Sequence, residues 1–244
     1  MKVLTFFTVR GGSGKTVLSA AFASYVSYIL GKRAMVLDFD GPEYNLYNMR
    51  LRELSLMKEG DAECDRDGLY IVEKVENTDS DSLDEFAASI RRIKEQFDYI
   101  ILDFPGSFSK DDAICHLATA GVIDMVVIPM ELDAISICSA KTLSQIFEET
   151  GLKTLPFFNR VHGKEDPALY GRLREWFERH GVRVSEAMVK NSIAMKREMG
   201  AKGFLRSTVC FPEKEIRAKN PGIINLFEEI VRYEERGVQK AEDS

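Results

Sequence analysis

A run of glycines near the start of the chain ends in a lysine and a threonine. Gly11, Gly12 and Gly14 lack a Cβ, so the backbone can wrap a polyphosphate and point consecutive N–H groups at it. Lys15 is then placed to neutralise the β and γ oxygens, and the Thr16 hydroxyl to hold Mg²⁺. An apolar segment before this loop predicts a strand, and an amphipathic one after it predicts a helix. That context indicates a phosphate-binding loop and therefore a nucleotide site.

Two aspartates follow the next apolar segment, which predicts a buried second strand over residues 34–38. Asp38 lies at the end of that strand and Asp40 two residues later. Carboxylates at the end of a strand can take part in phosphoryl transfer, because that reaction depends on positioning and charge stabilisation. Acidic residues also close strands as ordinary turn formers, so the pair alone does not decide between these interpretations.

A third apolar run, over residues 97–102, ends in Asp103 and is followed by a Pro105-Gly106 break. The segment resembles a Walker B strand with the start of switch II. That resemblance implies that Asp103 holds Mg²⁺ through water and that the Pro-Gly turn orders or relaxes with the γ-phosphate. Taken alone, the run is also typical of any buried parallel strand and turn.

The glycine loop departs from the common pattern GxxxxGK[ST], because Val9 stands at its first glycine. It resembles the deviant loop KGGxGK[ST] of the ParA/MinD family of ATPases. In that family a signature lysine before the glycine pair reaches the partner's phosphates across a nucleotide-sandwich dimer. This chain has Arg10 there, which keeps the charge but has a larger, planar head. The resemblance implies ATP, Mg²⁺ and an ATP-dependent homodimer, whereas Arg10 leaves dimer-coupled hydrolysis open.

The resemblance also assigns roles. Asp40 orients the attacking water, Asp38 supports the Mg²⁺ and water shell, Asp103 is the Walker B aspartate, and Asn45 stands at a MinD-like spacing. The catalytic set is Lys15, Asp40 and Arg10, and the metal set is Thr16, Asp38 and Asp103. The nucleotide-binding set is Gly11, Gly12, Ser13, Gly14, Lys15, Thr16, Val17 and Asn159.

Two later segments extend the resemblance. Residues 122–129 resemble the family strand that ends in proline before a helix at the dimer face. Residues 155–161 resemble the strand whose terminal asparagine, here Asn159, reads adenine. A turn residue that closes a strand is the alternative interpretation of Asn159.

The remaining periodicity predicts helices between the strands. One helix is expected directly after the loop, with Gly31 as its C-cap, and a second begins at a Ser82–Glu85 capping box. Further helices are expected over 135–147 and 167–177 and at the end of the chain. Strands that alternate with helices predict an α/β fold, a doubly wound and mostly parallel sheet, with ligands at the carboxyl ends of the strands. Without a linker or repeat, we expect one domain over residues 1–244.

The composition of the chain indicates its cellular compartment and its possible binding partners. The four cysteines have no ligand-like spacing, which argues against an iron–sulfur carrier and for a reducing compartment. No apolar stretch is long enough for a bilayer span, so we expect a cytoplasmic protein without stable membrane association. The net charge is -6, yet residues 183–219 hold nine basic and four acidic residues. This stretch is either a surface for non-specific DNA or a solvated face balanced by acidic neighbours.

The functional prediction is a ParA-like ATPase for partitioning plasmid, chromosome or mobile-element DNA, with a ParB-like adaptor as activator. One alternative is MinD-like positioning at a membrane, which needs a terminal amphipathic helix with a basic face, whereas residues 223–235 are acidic. The other is a nucleotide-gated protein-binding switch with little hydrolysis. The acidic segment 46–68 matches no known motif and is expected to be a loop or helical insert near the site.

Overall fold

The computed structural model describes residues 1–56, 70–93, 95–107, 112–191, 211 and 213–242. In these ranges seven strands form one sheet, in the order β3-β2-β4-β1-β5-β6-β7, and every neighbouring pair is parallel. The strands are β1 Lys2–Phe6, β2 Ala34–Asp38, β3 Ile71–Lys74, β4 Tyr99–Asp103, β5 Met125–Met130, β6 Lys153–Val161 and β7 Met188–Lys190.

Helices connect most of these strands. The helices are α1 Lys15–Ser24, which continues as one π-helical turn over Tyr25–Ile29, α2 Asn45–Leu56, α3 Ser80–Ile93, α4 Ala113–Thr119, α5 Ala134–Glu149, α6 Pro167–Glu178, α7 Glu213–Lys219 and α8 Pro221–Glu242. This α/β architecture confirms the predicted fold class. None of the helices within the described ranges is long and apolar enough to cross a bilayer.

The central strands are buried on both faces, as parallel strands flanked by helices must be. Side chains that alternate along β1 enter two separate apolar clusters, Leu4 and Phe6 on one face and Val3 on the other. On the first face, Phe22 of α1 packs edge-on against Phe6 and Phe227, with ring centroids 6.0 and 5.2 Å apart. The terminal helix α8 is therefore a core element, as predicted.

Most predicted elements are present, with three differences. The start of α3 is capped by Asp79, whose carboxylate accepts the Ser82 N–H at 3.0 Å, so the predicted Ser82–Glu85 capping box is wrong. Pro129 lies inside β5, and the strand continues to Met130. The first part of the acidic segment is α2, while residues 57–68 lie outside the described ranges.

Candidate nucleotide site

The glycine loop joins β1 to α1 at the carboxyl edge of the sheet. β1 lies between β4 and β5, the point where the strand order reverses and where open α/β sheets bind ligands. Gly12 and Gly14 have positive φ angles of 69° and 93°. Such a left-handed backbone favours glycine. Left-handed residues that alternate with right-handed ones direct successive N–H groups into one anion-binding concavity.

Lys15 is buried at the base of this loop. Its Nζ atom donates to the Arg10 carbonyl at 3.3 Å, so the side chain folds back along the loop. Burial lowers the pKa of Lys15, and the charges of Asp103 and Asp40 oppose that change. The ammonium group therefore lies within electrostatic reach of both acids.

Asp38 and Asp103 are side by side in the sheet, because they pair in register at the ends of β2 and β4. Both are fully buried. The Asp38 carboxylate accepts the N–H groups of Asp40, Leu46 and Tyr47 at 3.0, 3.0 and 3.1 Å. Burial raises the pKa of Asp38, and these three bonds lower it in part. Asp38 thus fixes both the Asp40 turn and the start of α2.

Asp103 is only partly satisfied by hydrogen bonds. Its carboxylate accepts hydroxyl hydrogen bonds from Ser19, at 3.0 Å, and from Thr16. Its Oδ2 atom is buried, and no described group bonds to it. Burial, followed by the neighbouring charge of Asp38, raises the pKa of Asp103 to about 7. Such a carboxylate favours a nearby cation.

This donor set fits Mg²⁺. The orphaned Asp103 oxygen and the Thr16 hydroxyl are hard oxygen donors beside the loop, and Asp38 adds negative charge behind them. Over the described ranges, no three His, Cys, Asp or Glu side chains form a ligand cluster. Mg²⁺ does not need one, because it keeps several waters and shares its shell with substrate phosphates.

Gly106 contacts the same centre from the turn after β4. A Cβ atom placed on Gly106 would lie 2.8 Å from the Lys15 Nζ atom and 3.5 Å from the Gly11 nitrogen. The structure therefore brings Lys15, Asp38, Asp103 and the Pro105-Gly106 turn together, as the sequence predicts. Asp40 joins them through its N–H bond to Asp38 and its charge effect on Lys15.

Asn159 lies within β6 rather than at its end, and both of its polar atoms have partners. The side-chain nitrogen donates to the Ser13 carbonyl at 2.8 Å, and Oδ1 accepts the Arg160 N–H at 2.9 Å. Asn159 thus contacts the glycine loop, and its role toward adenine stays a prediction. Val17 is half-buried in the first turn of α1.

Sequence reasoning missed four side chains that surround the loop: Ser19, Glu131, Asp133 and Arg160. Arg10 forms an ion pair with Asp133, and Arg160 bonds to Glu131 and to the Gly12 carbonyl. Ser19 follows Thr16 by one helical turn, so the helical period could have revealed it. The other three come from remote parts of the chain, and no local pattern marks them.

Comparison with known proteins agrees with this geometry. An uncharacterized ATP-binding protein of Methanocaldococcus jannaschii is 28% identical over 163 residues, 61% of this chain and 60% of that protein. The chain thus spans less than two thirds of this relative's length.

Two solved structures share the fold. MinD of Aquifex aeolicus aligns with a TM-score of 0.67 at 17% identity, covering 95% of this chain and 97% of that one. A plasmid partition protein of Borrelia burgdorferi aligns with a TM-score of 0.59 at 13% identity, covering 95% and 98%. The family model described as ATPase MipZ matches residues 2–150, more than half of the sequence. This chain therefore belongs to the MipZ family of ATPases.

Proposed function

We propose that this chain binds Mg·ATP, dimerises around it, hydrolyses it slowly and acts in partitioning or positioning plasmid, chromosome or mobile-element DNA. The observation that carries the proposal is the cluster of Lys15, Thr16 and Asp103 at the carboxyl ends of the central strands. Family membership and the name of the Methanocaldococcus relative support ATP as the ligand. The likeness to a plasmid partition protein motivates DNA as the cargo.

In the proposed reaction the loop N–H groups and Lys15 hold the β- and γ-phosphates. Bound Mg²⁺ would neutralise charge between these phosphates. Thr16 and Asp103 are the residues that would hold the ion, with Asp38 behind them. Asp40 orients the attacking water. Of the two acids at the end of β2, Asp38 accepts the Leu46 N–H at the start of α2, whereas Asp40 does not cap that helix and its charge acts on Lys15. Gly106 lies where a γ-phosphate-dependent turn would act.

The proposed DNA surface is the basic stretch 183–219. Of its nine basic residues, Lys196, Arg197, Lys202 and Arg206 lie outside the described ranges. Two of the described ones have acidic partners, since Arg183 contacts Glu229 at 3.4 Å and Arg217 contacts Glu213 at 2.7 Å. The charge available to DNA therefore depends on the other basic residues of the stretch.

MinD-like membrane positioning is the second candidate function, and the packing of α8 argues against it. The apolar face of this helix is buried in the core, including Ile223, Ile224, Leu226, Phe227 and Ile230. A helix whose apolar face is already used cannot insert it into a lipid interface. Glu228 and Glu229, which lie between Phe227 and Ile230, are acidic where a membrane-binding helix has basic residues.

The deciding experiment measures binding of the Asp40→Ala protein to non-specific duplex DNA, with and without Mg·ATP, at two salt concentrations. This variant should bind ATP but not hydrolyse it, so the dimer accumulates. ATP-dependent binding that weakens with salt supports the proposal, because phosphate contacts release counterions. Lys15→Ala is the matched control and should not respond to ATP. ATP occupancy without DNA binding would overturn the DNA proposal and favour a nucleotide-gated protein switch.

A further inference from the structure

The carboxyl-terminal part of β6 contacts the glycine loop through two side-chain hydrogen bonds. Two successive residues, Asn159 and Arg160, donate to two successive loop carbonyls. Asn159 reaches the Ser13 carbonyl at 2.8 Å, and the Arg160 guanidinium reaches the Gly12 carbonyl. Neither loop carbonyl belongs to the regular helix or strand ladders. Side chains from a distant strand thus hold the loop backbone.

Peptide geometry gives these contacts a consequence for anion binding. In a trans peptide unit the C=O and the N–H point in opposite directions. A Gly12 carbonyl that faces Arg160 therefore directs the Ser13 N–H away from β6. In the same way, a Ser13 carbonyl that faces Asn159 directs the Gly14 N–H away. Both amides belong to the concavity that should receive the phosphates.

Arg160 itself has a backbone conformation that arginine rarely adopts, with φ of 56°. Side chains other than glycine keep such an angle only when the surroundings impose it, and such residues concentrate at functional sites. Here the Asn159 Oδ1 atom accepts the Arg160 N–H at 2.9 Å, which fixes the turn. The strained residue is thus the one whose side chain bonds to the loop.

Glu131 orients the guanidinium. Its carboxylate accepts from Nη1 of Arg160 at 3.0 Å, while Nη2 bonds to the Gly12 carbonyl. The Glu131 N–H is in turn bonded to the Ser136 hydroxyl at 2.9 Å, which fixes the acid at the β5–α5 turn. A planar guanidinium can bond to both acceptors at once, whereas a lysine ammonium is a point charge on a flexible stem.

We propose that Arg160, held by Glu131, is a positioning residue that keeps the glycine loop in its phosphate-binding conformation. The inference rests on the proposed function, because it concerns the nucleotide at that site. Arg160 acts through the loop backbone, so its loss should weaken ATP and ADP binding to a similar degree. A residue that bonds the γ-phosphate directly would affect ATP far more than ADP.

The test compares Arg160→Ala, Arg160→Lys and Glu131→Gln with the wild type. Calorimetry of ATP and ADP binding should show a loss of about tenfold to hundredfold for Arg160→Ala, in line with one charge-assisted hydrogen bond. Arg160→Lys should recover part of this affinity, and Glu131→Gln should lose less than Arg160→Ala. Amide hydrogen exchange of residues 10–16 in the nucleotide-free protein should become faster in Arg160→Ala.

The matched control is Arg33→Ala, which removes an arginine–aspartate pair with Asp98 at the opposite end of the sheet. It should leave nucleotide affinity and loop exchange unchanged. Wild-type affinity and wild-type loop exchange in Arg160→Ala, in a protein that does bind ATP, would overturn the positioning role. A selective loss of ATP over ADP would also overturn it, in favour of direct phosphate contact. Absence of ATP binding by the wild type would instead refute the proposed function.

Discussion

Arg10 and Asp133 form an ion pair that ties the first residue of the glycine loop to the start of α5. Asp133 uses its two carboxylate oxygens for separate tasks: Oδ1 accepts the Ser136 N–H at 2.9 Å as a helix cap, and Oδ2 accepts from Arg10. The cap and the arginine both lower the pKa of Asp133. Arg10 thus stands at the place of the family's signature lysine, but it contacts its own chain.

Asp133→Asn separates the two tasks. Asparagine is as good a helix cap as aspartate, so the variant should keep the fold while it releases Arg10. Both side chains of the pair are more than a third exposed, and such pairs contribute little to stability. We expect an unchanged melting temperature and a few-fold gain in ATP affinity, because a phosphate no longer competes with Asp133 for the guanidinium.

Calorimetry and thermal melting check this expectation, with Asp133→Ala as the control. The alanine variant loses the cap as well and should be destabilised by about 1 kcal/mol. Equal ATP affinity in wild type, Asp133→Asn and Arg10→Ala would show that Arg10 does not contact the nucleotide.

Arg10→Lys tests the departure from the family loop. Lysine has the same charge but lacks the planar fork, and it is the smaller residue at a geometrically tight place. If the family's dimer geometry holds here, steady-state ATP turnover should persist or rise. A collapse of turnover with intact ATP binding would show that this chain has dimer chemistry of its own.

Lys15→Ala should abolish measurable ATP binding, because it removes the buried ammonium near Asp103 that we propose balances the phosphate charge. The helix should tolerate the change, since alanine has the highest helix propensity. Calorimetry with a circular dichroism control for folding decides the result. Retained affinity in a folded variant would contradict the loop assignment.

The burial of each strand explains whether it could be predicted from the sequence. The five strands that the sequence revealed, β1, β2, β4, β5 and β6, lie inside the sheet, and most of their residues are apolar and buried. β3 and β7 are edge strands of four and three residues with one buried residue each, so their sequences carry no comparable signal. The start of α3 was misplaced because Asp79 and Ser82 are both good caps, and only the backbone decides between them.

One part of the candidate site could likewise be predicted from the sequence, and another part could not. Asp38, Asp103 and Lys15 could be grouped from the sequence, because each lies at or just beyond the carboxyl end of a strand and parallel strands end at one edge. Arg160 and its partners could not. Its bond to Gly12 spans 148 residues, and its partner Glu131 lies on another turn, so only the folded chain shows that they meet.

Gly106→Ala tests the contact between the Pro105-Gly106 turn and Lys15. The added Cβ would lie 2.8 Å from Nζ, the mobile end of a long side chain, so the lysine rather than the fold should give way. We expect an unchanged melting temperature and at least a tenfold loss of ATP affinity or turnover. Gly163→Ala is the control, because a Cβ there meets no atom within 4 Å.

The double variant Lys15→Ala/Gly106→Ala makes this prediction specific. If Gly106 acts by leaving room for the ammonium, its substitution should add nothing once the lysine is gone, since two residues that share one interaction are not additive. Because Lys15→Ala should not bind ATP measurably, the comparison is made on the nucleotide-free protein. Amide hydrogen exchange of residues 10–16 in the double variant should equal that of Lys15→Ala alone. A further effect of Gly106→Ala on loop exchange or on the melting temperature of the double variant would overturn this explanation. It would mean that Gly106 supports the turn after β4 independently of its contact with Lys15.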